Sequence, residues 1–364
     1  MTDAQHRKSF AASRRSILKG LGAAAIGISL AGKTRRALAD EEKKLNFYNW
    51  DTYIGETTLQ DFKDASGIDV NMSLFATNDE LFAKLRAGNP GYDVIVPGSE
   101  FVERMIQANM LEPLDHAKIP NIKNISPEFI NDAPYDPGRK YSMPYTWLVI
   151  GIGYRKSKVK GVPDSWKYLF DSDEYKGRIA VMSDASELFR NCFKYLGKSI
   201  NDNSPELIKQ AEALLIKQKP NIKTFHEDNG QDLLAAGEID VVMEYNGDIA
   251  QVMKEDDDLD FVVPKEGAMR QSDTLAIPKG APHPENALKF INFILDAKTG
   301  EEITKTILYP SPNAAAVALM PASYKDNPVI FPPADLMAKC EYPRYLGPEF
   351  TRLLDEAMTR LRAA

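Results

Sequence analysis

Residues 46–55 read NFYNWDTYIG and set Trp50, Asp51 and Tyr53 directly behind an apolar run, 45–49, that has the make-up of a buried strand. Large rings and a charge at a strand end are poor core material. The arrangement recurs with Ser99 and Glu100 at 98–100, Asp184 and Glu187 at 183–187, Tyr245 and Asp248 at 245–248, and Gln271 and Asp273 at 271–273. Carboxylates collected in one cleft repel one another and resist ionisation unless a cation neutralises them. Aromatic faces attract such a cation by about 0.5 to 2 kcal/mol each and cover its methylene carbons. The six acids therefore suit recognition of a small organic cation, with the rings over the spacer between its charges. Taken singly, each residue has an ordinary role: Trp50 and Tyr245 as packing aromatics, Asp184 and Ser99 as helix caps, Asp51 and Asp273 as turn formers. Their grouping is what points to a site.

The elements that must position these residues alternate between strand and helix. Strand-like runs at 45–49, 68–75 and 92–97 are separated by helical patterns at 56–66, closed by Gly67, and from Asn78, a candidate cap, through Leu85. A helix at 100–109 follows. After a proline-rich stretch, 112–145, a second series places strands at 148–154, 179–182 and 241–245 and helices near 186–196 and 206–217. A strand at 273–278 and an amphipathic helix at 284–295 come later, and the acidic run KEDDDLD, 254–260, reads as a solvated loop or helix end. Such repetition implies an α/β fold with mostly parallel sheets flanked by helices, in two lobes joined by more than one crossing. In open α/β sheets ligands bind beyond the carboxyl ends of the strands, where all five groups fall.

The first 39 residues read as a cleaved export leader: adjacent Arg14 and Arg15, a short apolar stretch at 21–32, and Ala37-Leu38-Ala39 before Asp40. The apolar stretch falls short of the roughly 20 residues that span a bilayer. The leader holds eight of the 45 basic residues and one of the 52 acidic ones, leaving 37 against 51 and a net charge of −14. So acidic a chain is an unsuitable partner for nucleic acid or anionic lipid. Cys192 and Cys340, the only cysteines, are expected as buried, unpaired thiols. Phosphate-cradling GxxxxGK, HExxH and GxSxG are all missing, and His116, His226 and His283 sit beside turn-forming or polar residues where exposed rings are expected. No cofactor, metal site or catalytic residue is expected, although a hydrolase using two of Asp184, Glu187 and Asp273 stays open because carboxylate pairs have no sequence motif.

At these positions the sequence resembles the periplasmic spermidine/putrescine-binding proteins, the receptors of polyamine ABC transporters. The carrying segments are FYNWDTYI, YDVIVPGSEFVERM, SMPYTW, PKEGAMRQSDTLAIP and YPSPNAAA, in order over the whole chain after the leader. The resemblance implies a type II periplasmic binding fold, with residues 43–147 plus 272–317 as one lobe, 148–271 plus 318–364 as the other, and a ligand cleft between them. It places Trp50, Tyr53, the 98–100 loop, Asp273 and Tyr309 on one wall and Asp184, Glu187 and Tyr245 on the other, with Asp248 at a position acidic in putrescine-type members. It further implies a monomer in the periplasm that hands a polyamine to an inner-membrane permease. Four departures leave the ligand open between putrescine, spermidine and a cation with amidine or guanidinium ends. Gln271 and Tyr245 stand where larger aromatics are usual, Glu100 where a Tyr or small residue is, and Pro343 where spermidine-type members have Gln. A sensor subunit of the same fold is the alternative role.

Overall fold

The computed structural model describes residues 41–227 and 229–364; the expected leader and its cleavage point near Ala39 lie outside them. Nine strands form one mixed sheet: β1 (Lys44–Asn49), β2 (Asp69–Leu74), β3 (Val94–Ile95), β4 (Ser142–Arg155), β5 (Ile179–Met182), β6 (Ile222–His226), β7 (Val241–Tyr245), β8 (Leu259–Val262) and β9 (Arg270–Ala276). Their order is β2-β1-β3-β9-β4-β7-β5-β6, with β8 beside β4. The outer triplets β2-β1-β3 and β7-β5-β6 are parallel, as the alternation of strand and helix requires. They are joined through β9 and β4, which run antiparallel to their neighbours.

Strand β4 is longer than the expected 148–154 and belongs to both halves. Its residues 142–149 pair with β9, and residues 150–154 pair with β7. The register against β9 slips at Tyr145, so Pro144 opposes Thr274 while Thr146 opposes Asp273. The slip is a β-bulge, a place where a central strand tolerates a proline that cannot donate to the ladder.

Alternation along the strands builds two cores on opposite faces of the first half. Phe47, Val94 and Leu275 enter one with Phe62, Phe290 and Ile303; Tyr48, Ile95 and Ala276 enter the other with Leu81, Val102 and Met105. A separate core in the second half gathers Ile152, Val181, Phe189, Val242 and Ile249 with Leu354 and Leu361 of the C-terminal helix Pro348–Ala363. Both thiols are free and buried, Cys192 in this core. Among the described residues no helix is long and apolar enough to cross a membrane.

Several local expectations are corrected. Thr77, not Asn78, caps the helix Asn78–Arg86, its hydroxyl accepting from the Glu80 N–H; the Asn78 side-chain Oδ1 instead accepts from the Gly98 N–H at 3.0 Å. Only Val94–Ile95 of the run 92–97 pairs as a strand. The short β6 and β8 carry too little apolar pattern to stand out. Leu259 and Asp260, at the end of the acidic run, enter β8, and Asp256 and Asp258 pair with Arg155. His226 is buried, its Nε2 3.0 Å from the Met243 carbonyl, and loss of hydration lowers its pKa to about 4, so the ring is neutral.

One buried amide ties these parts together. Asn246, fully buried behind β7, accepts from the Val149 N–H at 3.1 Å and donates to the carbonyls of Val329 and Ile330. Asn246→Ala leaves those three backbone groups without partners. It should lower unfolding stability by roughly 2 kcal/mol, read as a fall in the chemical denaturation midpoint at unchanged slope.

Candidate functional site

The turn after β1 is built to present a tyrosine. The Asn49 side chain, fully buried, donates to the Tyr53 carbonyl at 2.9 Å, and that carbonyl also accepts from the Tyr145 hydroxyl at 2.7 Å. Glu302 accepts from the Thr57 N–H and the Thr58 hydroxyl at the start of the helix Thr58–Ser66, whose far end closes on Gly67 at φ +71°. Held at both ends, Tyr53 is buried with its ring edge-on to Tyr145 and Tyr309, at 5.6 and 5.1 Å. Its hydroxyl donates to Asp273 Oδ2 at 2.9 Å and lies against the Thr146 hydroxyl. The bulge makes this triad possible, because directly opposed residues of antiparallel strands point to the same face.

Asp273 is 7% exposed, and burial pushes its pKa up from 3.8 to about 6. Hydrogen bonds from Tyr53 and Thr146 pull the other way and lose. The Tyr53 hydroxyl is driven well above its ordinary range by burial and then by Asp273, so it stays a donor.

The opposite wall begins at the helix Ala185–Tyr195, whose N-cap Asp184 accepts from the Glu187 N–H at 2.9 Å. Asp184 is open to the water of the cleft yet crowded by protein, and the crowding raises its pKa, with Asp79 and Asp355 adding to it. Glu187 Oε1 accepts from the Tyr245 hydroxyl and from Gln271 Nε2 at 3.0 Å. The helix Asn246–Val252 sets Asp248 beside Tyr309. Gly247 is required there, since a Cβ would run into the Tyr309 ring. Burial first, then Asp248, keeps the Tyr309 hydroxyl protonated.

These walls enclose a cleft of about 240 Å³. Eleven of the twelve residues expected at a site line it: Trp50, Asp51, Tyr53, Glu100, Asp184, Glu187, Tyr245, Asp248, Gln271, Asp273 and Tyr309. Ser99 does not; it is fully buried at the first turn of the helix Ser99–Gln107, and Gly98 occupies the cap position. Trp50 presents only part of its ring, because its N–H donates to the Val96 carbonyl at 2.9 Å and the ring packs on Phe75. Asp51 is exposed and accepts from the Thr52 N–H of its own turn.

Glu100 meets an arginine that the sequence reading missed. Arg190, fully buried, donates from Nη2 to Glu100 Oε1 at 2.9 Å, and the Ser186 hydroxyl reaches Glu100 Oε2 at 3.3 Å. The other Arg190 N–H groups go to Ser186 Oγ, the carbonyls of Ile200 and Arg344, and Asn201 Oδ1. All five donors are thereby used. Glu100 is paired with a guanidinium of the protein itself, although burial still raises its pKa, and Asp184, Glu187, Asp248 and Asp273 line the cleft as well. Asp79, Glu227, Gln231 and Asp355 also line it and carried no strand-end signal.

The model of the bacterial extracellular solute-binding protein family matches residues 57–332. The putrescine-binding periplasmic protein PotF of Escherichia coli is 34% identical over 95% of this chain and 97% of its own. Spermidine/putrescine-binding periplasmic protein 1 of Haemophilus influenzae is 34% identical over 91% and 92%. The spermidine/putrescine ABC transporter substrate-binding protein PotD from Streptococcus pneumoniae superposes with a TM-score of 0.80 at 29% identity, over 88% of this chain and 99% of that one.

The raised Asp273 pKa makes stability depend on pH. Between about pH 4 and 6 the folded chain holds a proton that the unfolded chain has released, so stability of the free protein should fall as pH rises through that window. Two pH units correspond to about 3 kcal/mol. Asp273→Asn should flatten that slope in denaturant melts recorded from pH 4 to 7.

Proposed function

We infer, because this chain belongs to the bacterial extracellular solute-binding protein family, that it captures a polyamine in its cleft and delivers it to an ABC permease. It is a binding receptor and not an enzyme. The observation that carries the choice of ligand is the set of four carboxylates, Asp184, Glu187, Asp248 and Asp273, converging with Trp50, Tyr53, Tyr245 and Tyr309 on one cleft. An ammonium entering it loses several kcal/mol of hydration, and charged acceptors fixed in advance replace those bonds. Asp273 and Glu187 hold the cationic ends, and the rings cover the methylene chain between them. Relatives named for putrescine and spermidine support the reading.

The two lobes are residues 43–147 plus 272–317 and residues 148–271 plus 318–364. Two features support this division: the separate cores, and the passage of β4 and β9 between them. Closure of the lobes on the ligand is a shift between open and closed populations about those strands. Export by the twin-arginine leader, cleavage near Ala39 and action as a monomer in the periplasm complete the proposal, supported by periplasmic relatives.

Calorimetric titration of the mature chain with putrescine, spermidine, agmatine and arginine tests it. At least one should bind with one-to-one stoichiometry, and absence of binding by all four overturns the ligand class. Asp273→Ala or Glu187→Ala should weaken binding by a hundredfold or more, on the order of 3 kcal/mol, because one ammonium loses its buried partner. Trp50→Ala should cost only about tenfold. Affinity of the wild type should fall as pH drops below about 6, where a proton competes for Asp273.

A further inference from the structure

A second set of charges crosses the cleft, beginning at its lining residues Glu100 and Arg190 and ending on Glu103 and Arg344 outside it. The helix Ser99–Gln107, packed on the first half, carries Glu100 and Glu103 one turn apart. Glu100 is held by Arg190 and Ser186 of the helix Ala185–Tyr195. Glu103 is gripped by Arg344, whose Nη2 donates to Oε1 at 2.6 Å and whose Nε donates to Oε2 at 3.0 Å. The Tyr345 N–H donates to Oε2 as well, at 2.9 Å. Arg344 is anchored to the second half: its N–H donates to Asn201 Oδ1, its carbonyl accepts from Arg190 Nη2, and Asn201 donates to the Tyr342 carbonyl. The two ion pairs are thus one network, with both carboxylates on one side of the cleft and both guanidiniums on the other.

We propose that Glu103 and Arg344, with Glu100 and Arg190, form a clasp that holds the cleft walls together through protein groups alone. The residues position the walls and do not choose the ligand. The proposal rests on the reading that the lobes open and close. Neither Glu103 nor Arg344 lines the cleft, so neither can act by touching the guest. Glu103 is 13% exposed and Arg344 40%, and the bidentate geometry is the one in which an arginine and a carboxylate bind best. Opening separates the pairs and exposes their charges to water, whereas closing restores the five directed bonds that Glu100 and Glu103 accept from Ser186, Arg190, Arg344 and the Tyr345 N–H, whatever occupies the cleft. Apparent affinity equals the intrinsic affinity scaled by the competent fraction. Loss of the clasp must therefore weaken every ligand by one common factor.

The test compares the full mature chain with Glu103→Gln, Arg344→Gln and the double variant, with melting curves as a check of folding. Putrescine and spermidine are the probes, and dissociation constants, dissociation rates and the radius of gyration of the free chain are read. Each single variant should weaken both probes by the same factor, roughly fivefold, mostly through faster dissociation. The double variant should lose no more than the singles, because one pair is removed in each case, and the free variants should scatter as more extended than the wild type. Unchanged affinity and unchanged scattering overturn the clasp, and so do unequal factors for the two probes, which would make the pair a selector. If the wild type binds neither probe, the polyamine reading fails instead, and the scattering comparison alone decides the clasp: more extended variants support it and unchanged ones overturn it.

Discussion

A carboxylate buried at the seam of two antiparallel strands is the constraint on which the rest of this molecule turns. Asp273 sits where β9 meets β4, with the hydroxyls of Tyr53 and Thr146 as its side-chain hydrogen-bond donors among the described residues. Two neutral donors do not replace the hydration a carboxylate loses on burial, and its raised pKa measures the shortfall. Such a group is stable either with a proton or beside a positive charge. Among the described residues no arginine or lysine pairs with it, so a cation from outside would restore the balance.

The surrounding structure serves to keep that condition while making the site accessible. Tyr53 is fixed by the Asn49 amide and the Tyr145 hydroxyl. Glu187 is oriented by Tyr245 and Gln271. These acceptors are set before a guest arrives, so little conformational entropy is lost in recruiting them. Glu100 shows the opposite outcome for the same kind of side chain. Arg190 gives it a charged donor and Ser186 a neutral one, although burial still outweighs them and raises its pKa, and its charge goes to joining the walls.

How much of this is legible in the sequence depends on the range of the interaction. Strands β1, β5 and β7 and the helices after β1 and β5 were readable because alternation, runs of buried apolar residues and capping are local. The Asp184 cap and the strand-end position of Tyr245 were readable for the same reason, whereas Asp273, expected at the start of a strand 273–278, lies inside β9. Strand β4 was read short because Pro144 argues against a central strand, and only the partner strand reveals the bulge that admits it. His226 looked like a turn residue, yet the pairing of β6 with β5 buries it. Asn78 and Thr77 are adjacent polar residues, and the Gly98 N–H, twenty positions away, decides their roles.

By itself, therefore, the sequence determined the α/β alternation, the acidic balance, and the placing of carboxylates and rings beyond strand ends, since each follows from residue type and short-range periodicity. Tertiary structure alone decided which of those carboxylates are paired with a guanidinium. The partner of Glu100 lies ninety residues away at Arg190, that of Glu103 lies 241 away at Arg344, and Asp273 has none of that kind. Whether an acid is neutralised depends on what folding brings within about 3 Å of it, and chain spacing carries no record of that distance.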